Sequence, residues 1–429
     1  MKRKIVYVPL AIDILHSGHL NILNKAKKYG DITVGLLSDN AIAEYKKLPF
    51  LNYNERYKIV KNLKNIRRII KQDSWDYTKV LNNIKPDYFV HGDDWKTGVQ
   101  KNVRKKVIKT LKKNGGKLIE IPYTKDISSS KIKQKINMIL TPSSKVSLLK
   151  RLINSKKIVR IMESHSPLTG LIVENIYYQT KNEKIEFDGM WSSSLTDSTV
   201  RGKPDNQSVD FSTRFVGLSD ILDVTKKPII FDADNGGRIE HISYTVRTLE
   251  RLGVSAIMIE DKIGLKKNSL FKDQSGVRQD NIPEFCRKIK EAKKSALSKD
   301  FLVGARIESF ILGKSLNDAI KRAEAYSKAG ADIILIHSKE KNPKQIFAFS
   351  KKFLKSKFYK PMVAVPSTYS KTKEKDLIKH GFKIVIYANQ LLRAAHPAMV
   401  EVAKKILKNK RSFEIEKKIS SVKKIIELI

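Results

Sequence analysis

The feature that most constrains this chain is an alternation. Between residues 158 and 410, short apolar runs at 171–174, 187–191, 228–231, 256–259, 302–305, 332–336, 362–365 and 383–387 are interleaved with helical stretches. Eight strands in about 250 residues match a (β/α)8 barrel in number and size. Residues 1–136 alternate as well, with strands predicted at 4–10, 31–37, 88–91 and 117–121 and helices at 17–29, 55–63 and 103–114. Such alternation means a parallel sheet with crossover helices. The 429 residues exceed what one core normally holds. The expected division is a first domain at 1–138, a linker at 139–157 made of a Thr-Pro-Ser-Ser turn and a basic helical stretch at 145–157, and a barrel at 158–429.

Composition excludes several classes. No apolar run approaches the ~20 residues of a membrane span, and the basic start of the chain, broken by Pro9 and Asp13, makes a poor signal peptide. One cysteine, Cys286, rules out an internal disulfide and fits a reducing, cytoplasmic compartment. The net charge of +41 suggests a polyanion surface. The excess is dispersed, however: residues 1–140 hold 30 Lys/Arg against 12 Asp/Glu, and no long basic block occurs elsewhere. General lysine enrichment explains this, and nucleic acid is not expected as a partner.

Polar residues follow the apolar runs of the second series. They are Trp191 to Ser194, Asp232-Ala233-Asp234, Glu260-Asp261-Lys262, Arg306, and His337-Ser338-Lys339. In a barrel these strand ends converge on one face. Singly, each has a plain structural explanation: a helix cap, a salt bridge, a satisfied histidine. Together they supply carboxylates suited to Mg2+, which keeps several waters and shares an anionic substrate, and an Arg and Lys suited to phosphoryl or carboxylate groups. The stretch Glu260–Ser269 adds three lysines, an Asn and a Ser on one connecting loop, as a lid over a small anion would.

These residues resemble the phosphoenolpyruvate mutase/isocitrate lyase superfamily, and its mutase branch most. The matching segments are Trp191 to Leu195, Gly202 to Asn206, Asp232 to Asp234, Glu260 to Lys262 with Lys266 to Ser269, Ala305 to Glu308, and Ile336 to Ser338. The resemblance implies conversion of phosphoenolpyruvate to 3-phosphonopyruvate, with Mg2+ as cofactor. It implies that Asp232 ligates the metal while Asp205, Asp234 and Glu260 hold its waters. Trp191, Ser193, Ser194 and Leu195 would shape the pocket and bind the carboxylate. Lys266, Asn268 and Ser269 would sit on the gate loop, and Arg306 and His337 would grip the phosphoryl group. The lyase branch has a catalytic cysteine in the gate loop, which is lacking here. Phosphonopyruvate hydrolases are the alternative, and Asn268 is the mutase-like choice against them. Ser194 departs from mutases that have Gly there. The resemblance also implies a homo-oligomer, dimer or tetramer, with helix exchange at the C-terminus.

In the first series, His16-Ser17-Gly18-His19 opens a helix. Helix N-terminal amides bind phosphate, and the two histidines, three apart, share a face. They also suit a metal or a plain surface. With Asn54-Glu55-Arg56, His91 to Trp95 and Ile127 to Ser130, the pattern resembles cytidylyltransferases of the nucleotidyltransferase superfamily. That resemblance implies a Rossmann-like domain using CTP. His16 and His19 would stabilise the transferring phosphoryl, and Lys46, Ser128, Ser129 and Ser130 would contact the phosphates. Asp94 and Trp95 would face the acceptor, a phosphonate such as 2-aminoethylphosphonate. Two departures stand out: Leu10-Ala11-Ile12-Asp13 in place of Gly-Thr-Phe-Asp, and Tyr123 to Asp126 in place of Arg-Thr-Glu-Gly.

Overall fold

The structure is a computed structural model, and it describes residues 3–45, 48–96, 100–122, 142–180, 183–264, 266–271 and 273–428. The chain divides into two compact units.

The first unit is a five-stranded parallel sheet. Its strands are β1 (Ile5–Leu10), β2 (Asp31–Leu37), β3 (Ile66–Gln72), β4 (Tyr88–Gly92) and β5 (Lys117–Ile121), in the order β3-β2-β1-β4-β5. Alternate residues of β1 feed two cores. Val6, Val8 and Leu10 pack with Leu23 and Val60, whereas Tyr7 packs with Leu81, Phe89, Val107 and Leu111. The sheet is therefore covered on both faces, and strand order reverses between β1 and β4, where such sheets place ligands. β3 was not expected. It is an edge strand that pairs only with β2 and exposes Arg67, Arg68 and Lys71, so its sequence reads as polar.

The second unit is a closed barrel. Its first strand is β6 (Val159–Glu163); the antiparallel pair that follows in the chain, β7 (Tyr177–Gln179) and β8 (Lys184–Glu186), groups with the first unit. Then come β9 (Gly189–Ser192), β10 (Ile229–Asp232) and β11 (Ala256–Glu260). A second antiparallel pair, β12 (Lys262–Gly264) and β13 (Val277–Gln279), forms the stem of the loop after β11. The barrel is completed by β14 (Leu302–Ile307), β15 (Ile333–Ile336), β16 (Met362–Ala364) and β17 (Phe382–Tyr387), which pairs with β6. Runs such as Ile229-Ile230-Phe231 and Ile333 to Ile336 are wholly buried, as strands sandwiched between barrel interior and helix ring must be. Gly304 is small by necessity, because a Cβ there would lie 2.6 Å from the Met258 methyl.

Two expectations change. Residues 171–174 are not a strand but part of the helix Pro167–Asn175, started by a Ser166–Thr169 capping box with Pro167 in the first turn. The first barrel strand is β6 instead. Its outward side carries Arg160, paired with Glu374, which broke the apolar run. Within the stretch read as a linker lies the helix Pro142–Ser155, and its Val146 belongs to the barrel's apolar core. Among the described residues no helix is long and apolar enough to cross a membrane.

Candidate active site

At the carboxyl ends of the barrel strands, one pocket is lined by Trp191, Ser193, Ser194, Leu195, Asp205, Asp232, Glu260, Lys266, Asn268, Ser269, Arg306 and His337. The structure thus gathers every barrel residue to which the resemblance gives a role except Asp234, which joins the group through Lys266.

The carboxylates are buried, with Asp232 5%, Asp234 3% and Glu260 4% exposed. Each must therefore be paired or hydrogen-bonded. Asp232 accepts from the backbone N–H and hydroxyl of Ser194 at 3.4 and 3.3 Å, and from the Asp234 N–H at 3.2 Å. Asp205 accepts from Asn268 Nδ2 at 2.9 Å and pairs with the Lys266 ammonium, which also pairs with Asp234. Burial raises the Asp205 carboxyl, but Lys266 and its hydrogen bonds outweigh this and hold it below the ordinary range. Burial pushes Glu260 up to about 7, against the pull of Arg306 at 3.3 Å and Lys262 at 3.7 Å. The Ser194 hydroxyl is no bland replacement for a glycine, since it also accepts from Lys266 Nζ at 2.8 Å.

A second group sits where Arg306 and His337 end β14 and follow β15. Arg306 pairs with Glu308 through Nε and donates through Nη2 to Ser269 Oγ at 2.8 Å. Its Nη2 lies 3.1 Å from His337 Nδ1, and Glu308 Oε1 lies 3.0 Å from the same nitrogen. Burial lowers the His337 pKa despite Glu308. A neutral Nδ1 serves Arg306 or Glu308, one at a time. Lys262 donates to Ser269 Oγ at 2.7 Å, and Ser269 donates to Glu308 at 2.7 Å. The gate-loop serine is therefore fastened to Arg306 and Glu308 at the end of β14 and to Lys262 in the loop's own stem.

The sequence reading assigned no role to Glu308, Lys262 or Arg214. Glu308 is fully buried and lies two residues beyond Arg306, the spacing that puts both on one face of a strand end. Arg214, 2% exposed, sits on the helix Phe211–Val224, where an arginine between aromatics reads as surface. It donates to the Asp232 and Ser192 carbonyls and pairs with Asp197 at 2.9 Å, fixing two strand ends from behind. Asn389 and Ser367, after β17 and β16, complete the pocket wall.

Mg2+ would be held here by hard carboxylate oxygens. Among the described residues no three such side chains converge directly on one point. The donor set fits an ion that keeps most of its shell as water.

In the first unit, His16 caps the helix Ser17–Ala26, accepting from the Gly18 N–H at 3.1 Å. The His16 and His19 ring centroids are 4.0 Å apart, so the two share one face. Burial lowers the His16 pKa. Asp94 is half exposed and lies 3.8 Å from His91. Trp95, expected to face an acceptor, is 1% exposed, stacks on His91 at 3.9 Å and donates to Glu120 at 2.8 Å, so it is a core residue. Lys46, Ser128, Ser129 and Ser130 lie outside the described residues. Arg56, fully buried, ties the loops together by donating to the Ala11, Leu37 and Leu51 carbonyls and pairing with Asp39 at 2.7 Å. Ile12 adopts φ 41°, a costly conformation for a β-branched residue, beside Asp13, which accepts from the Phe50 N–H at 2.6 Å.

The fold and site define a (β/α)8 enzyme whose active face sets buried carboxylates beside a guanidinium and an imidazole. The family model described as phosphoenolpyruvate phosphomutase matches residues 149–407, and one described as cytidylyltransferase-like matches residues 12–135. The chain belongs to the phosphoenolpyruvate phosphomutase family and carries a cytidylyltransferase-like domain ahead of the barrel. It is 36% identical over 296 residues to the phosphoenolpyruvate phosphomutase of Tetrahymena pyriformis, covering 68% of this chain and 94% of the relative. A solved phosphonopyruvate hydrolase, in complex with oxalate and Mg++, matches with a TM-score of 0.59 and 33% identity, over 67% of this chain and 95% of that one. The ethanolamine-phosphate cytidylyltransferase of Dictyostelium discoideum is 34% identical over 129 residues, 30% of this chain and 35% of the relative.

Proposed function

We infer that the barrel interconverts phosphoenolpyruvate and 3-phosphonopyruvate. The observation that carries this reading is one pocket that sets Arg306, His337 and Ser269, tied to Glu308, beside the Asp205, Asp232 and Glu260 carboxylates, with Asp234 joined through Lys266. The reaction breaks the P–O bond to the enol oxygen and forms a P–C bond to the enolate's terminal carbon, with no net proton change. Its transition state is loose and metaphosphate-like, so positioning and charge carry the catalysis. Arg306 presents a fork to the phosphoryl oxygens, and Glu308 fixes that fork's orientation. His337 donates to the same group. The Ser193–Ser194 turn offers hydroxyls and amides to the carboxylate. Mg2+, where bound through Asp232, would polarise the enolate and carboxylate oxygens. Lys266, Asn268 and Ser269 belong to the loop that keeps water out, since water would yield pyruvate and phosphate.

Asn268 supports mutase over hydrolase activity: its Nδ2 donates to Asp205 and its Oδ1 accepts from the Leu270 N–H, which holds the amide against the loop and Asp205 rather than on a water. A pyruvate-kinase-coupled assay tests the reading: phosphonopyruvate with Mg2+ should support ATP formation from ADP, and failure to do so with folded protein would reject it. Asn268→Thr should raise phosphate release relative to phosphoenolpyruvate.

The first unit would transfer CMP from CTP to a phosphonate such as 2-aminoethylphosphonate, with His16 and His19 on the transferring phosphoryl. The likeness to an ethanolamine-phosphate cytidylyltransferase supports an aminoalkyl acceptor. Pyrophosphate release from CTP that depends on the added phosphonate checks this. Homo-oligomer formation and a cytoplasmic setting belong to the same reading.

A further inference from the structure

The Lys266 ammonium has three N–H donors, and all three are engaged. They meet Asp205, Asp234 and the Ser194 hydroxyl. The side chain is 7% exposed, and its two carboxylate partners are 8% and 4% exposed. Glu260 is neutralised separately by Arg306 and Lys262. Asp205 and Asp234 have far less from elsewhere. Asp205 has the neutral Asn268 amide, and Asp234 has Arg214 only at 3.8 Å. Lys266 is thus the principal cation of these two carboxylates, and in this position it has no N–H left for an anionic substrate.

A hydrated divalent ion would address the same oxygens. Its waters donate to carboxylates as an ammonium does, and it brings twice the charge. A strongly held ammonium and such an ion are therefore competitors for one set of acceptors. We propose that Lys266 is an internal cation that the divalent metal must displace from Asp205 and Asp234, and that displacement is what frees its ammonium for the substrate's phosphoryl group. This rests on the Mg2+ reading of the site given above. Metal binding is then weakened by the lysine, and metal and substrate binding are coupled through it.

The consequence separates two things that ordinarily move together. Removing the lysine should abolish turnover while tightening the metal. Mn2+ can be titrated into the full chain and its free ion followed by electron paramagnetic resonance, in wild type, K266M, K266Q and K266R, with folding checked by circular dichroism. K266M and K266Q should bind Mn2+ at least about tenfold more tightly than wild type, a change of ~1.4 kcal/mol, and K266R should stay near wild type. Equal or weaker binding by K266M and K266Q overturns the proposal and leaves the metal site standing. Mn2+ binding by none of the four proteins overturns the metal site and the proposal with it. The unmodified protein provides a check that needs no variant. Amidination of Lys266 by methyl acetimidate, read by mass spectrometry, should be faster with Mn2+ than without, and an unchanged or slower rate would also overturn the displacement.

Discussion

The two units place their chemistry at the carboxyl ends of parallel strands, but they hold it differently. In the barrel, groups from five successive strand ends interlock: Arg306 meets Glu308, Glu260, Ser269 and His337, and Lys266 meets Asp205, Asp234 and Ser194. In the sheet unit, the buried clamp is Arg56, which touches backbone and Asp39, while His16 and His19 lie ring to ring at the start of the helix Ser17–Ala26 and Asp94 lies beside His91. Site and scaffold are one network in the barrel. Substitutions in the barrel site should therefore disturb several partners at once, whereas in the first unit stability and activity should separate.

That contrast can be broken by substitution. The largest effect is expected for Asp232→Ala, a loss of mutase turnover on the order of 10⁴-fold, since the several kcal/mol of metal charge stabilisation goes with it. Pyrophosphate release by the first unit should be unchanged. Next is Arg306→Lys, which keeps the charge but loses the fork shared among Glu308, Ser269 and His337; a fall in kcat/KM of ~10³ is expected. A fall below tenfold would show the network to be less interdependent than its geometry implies. His19→Ala should lower CTP-dependent pyrophosphate release ~10²-fold without moving the thermal melting of the unit, the mark of a separable group.

Arg56→Met should do the reverse and destabilise the sheet unit by ~3–5 kcal/mol, because Asp39 and three carbonyls lose a buried partner. Barrel turnover should persist, and denaturant melts of the two units would show it. The smallest effect concerns Glu120. Hydrogen bonds from Arg104, and then Trp95, hold its carboxyl down at about 2 despite partial burial. A depressed pKa contributes stability above the unfolded value of ~4.3 and loses it as pH falls toward 2. Glu120→Gln should cost ~1 kcal/mol at pH 7, with the gap to wild type closing between pH 4 and 2.

Much of this was legible in the chain. Seven of the eight barrel strands announce themselves as apolar runs, because a barrel strand is buried on both faces. β6 escaped because outward-facing Arg160 interrupts it, and the Leu171-Ile172-Val173 run in the following helix imitated a strand. β3 escaped because edge strands carry charge. The polar residues after β9, β10, β11, β14 and β15 marked the site for the same reason the strands were clear: a buried run that ends in Asp or Arg needs a cause. Glu308 was readable from its two-residue spacing to Arg306. Arg214 was not, since its partners Asp197, Ser192 and Asp232 come together only by tertiary packing. The resemblance put Trp95 toward an acceptor, whereas its indole completes the hydrogen bonding of Glu120 inside the core.

The central claim is that the interlocked barrel site moves a phosphoryl group between oxygen and carbon with water excluded. It is tested most directly by following phosphonopyruvate and Mg2+ with the full chain by 31P NMR. The carbon-bound phosphorus resonance should fall as that of phosphoenolpyruvate rises, with little inorganic phosphate. Inorganic phosphate and pyruvate as the main products would contradict the claim.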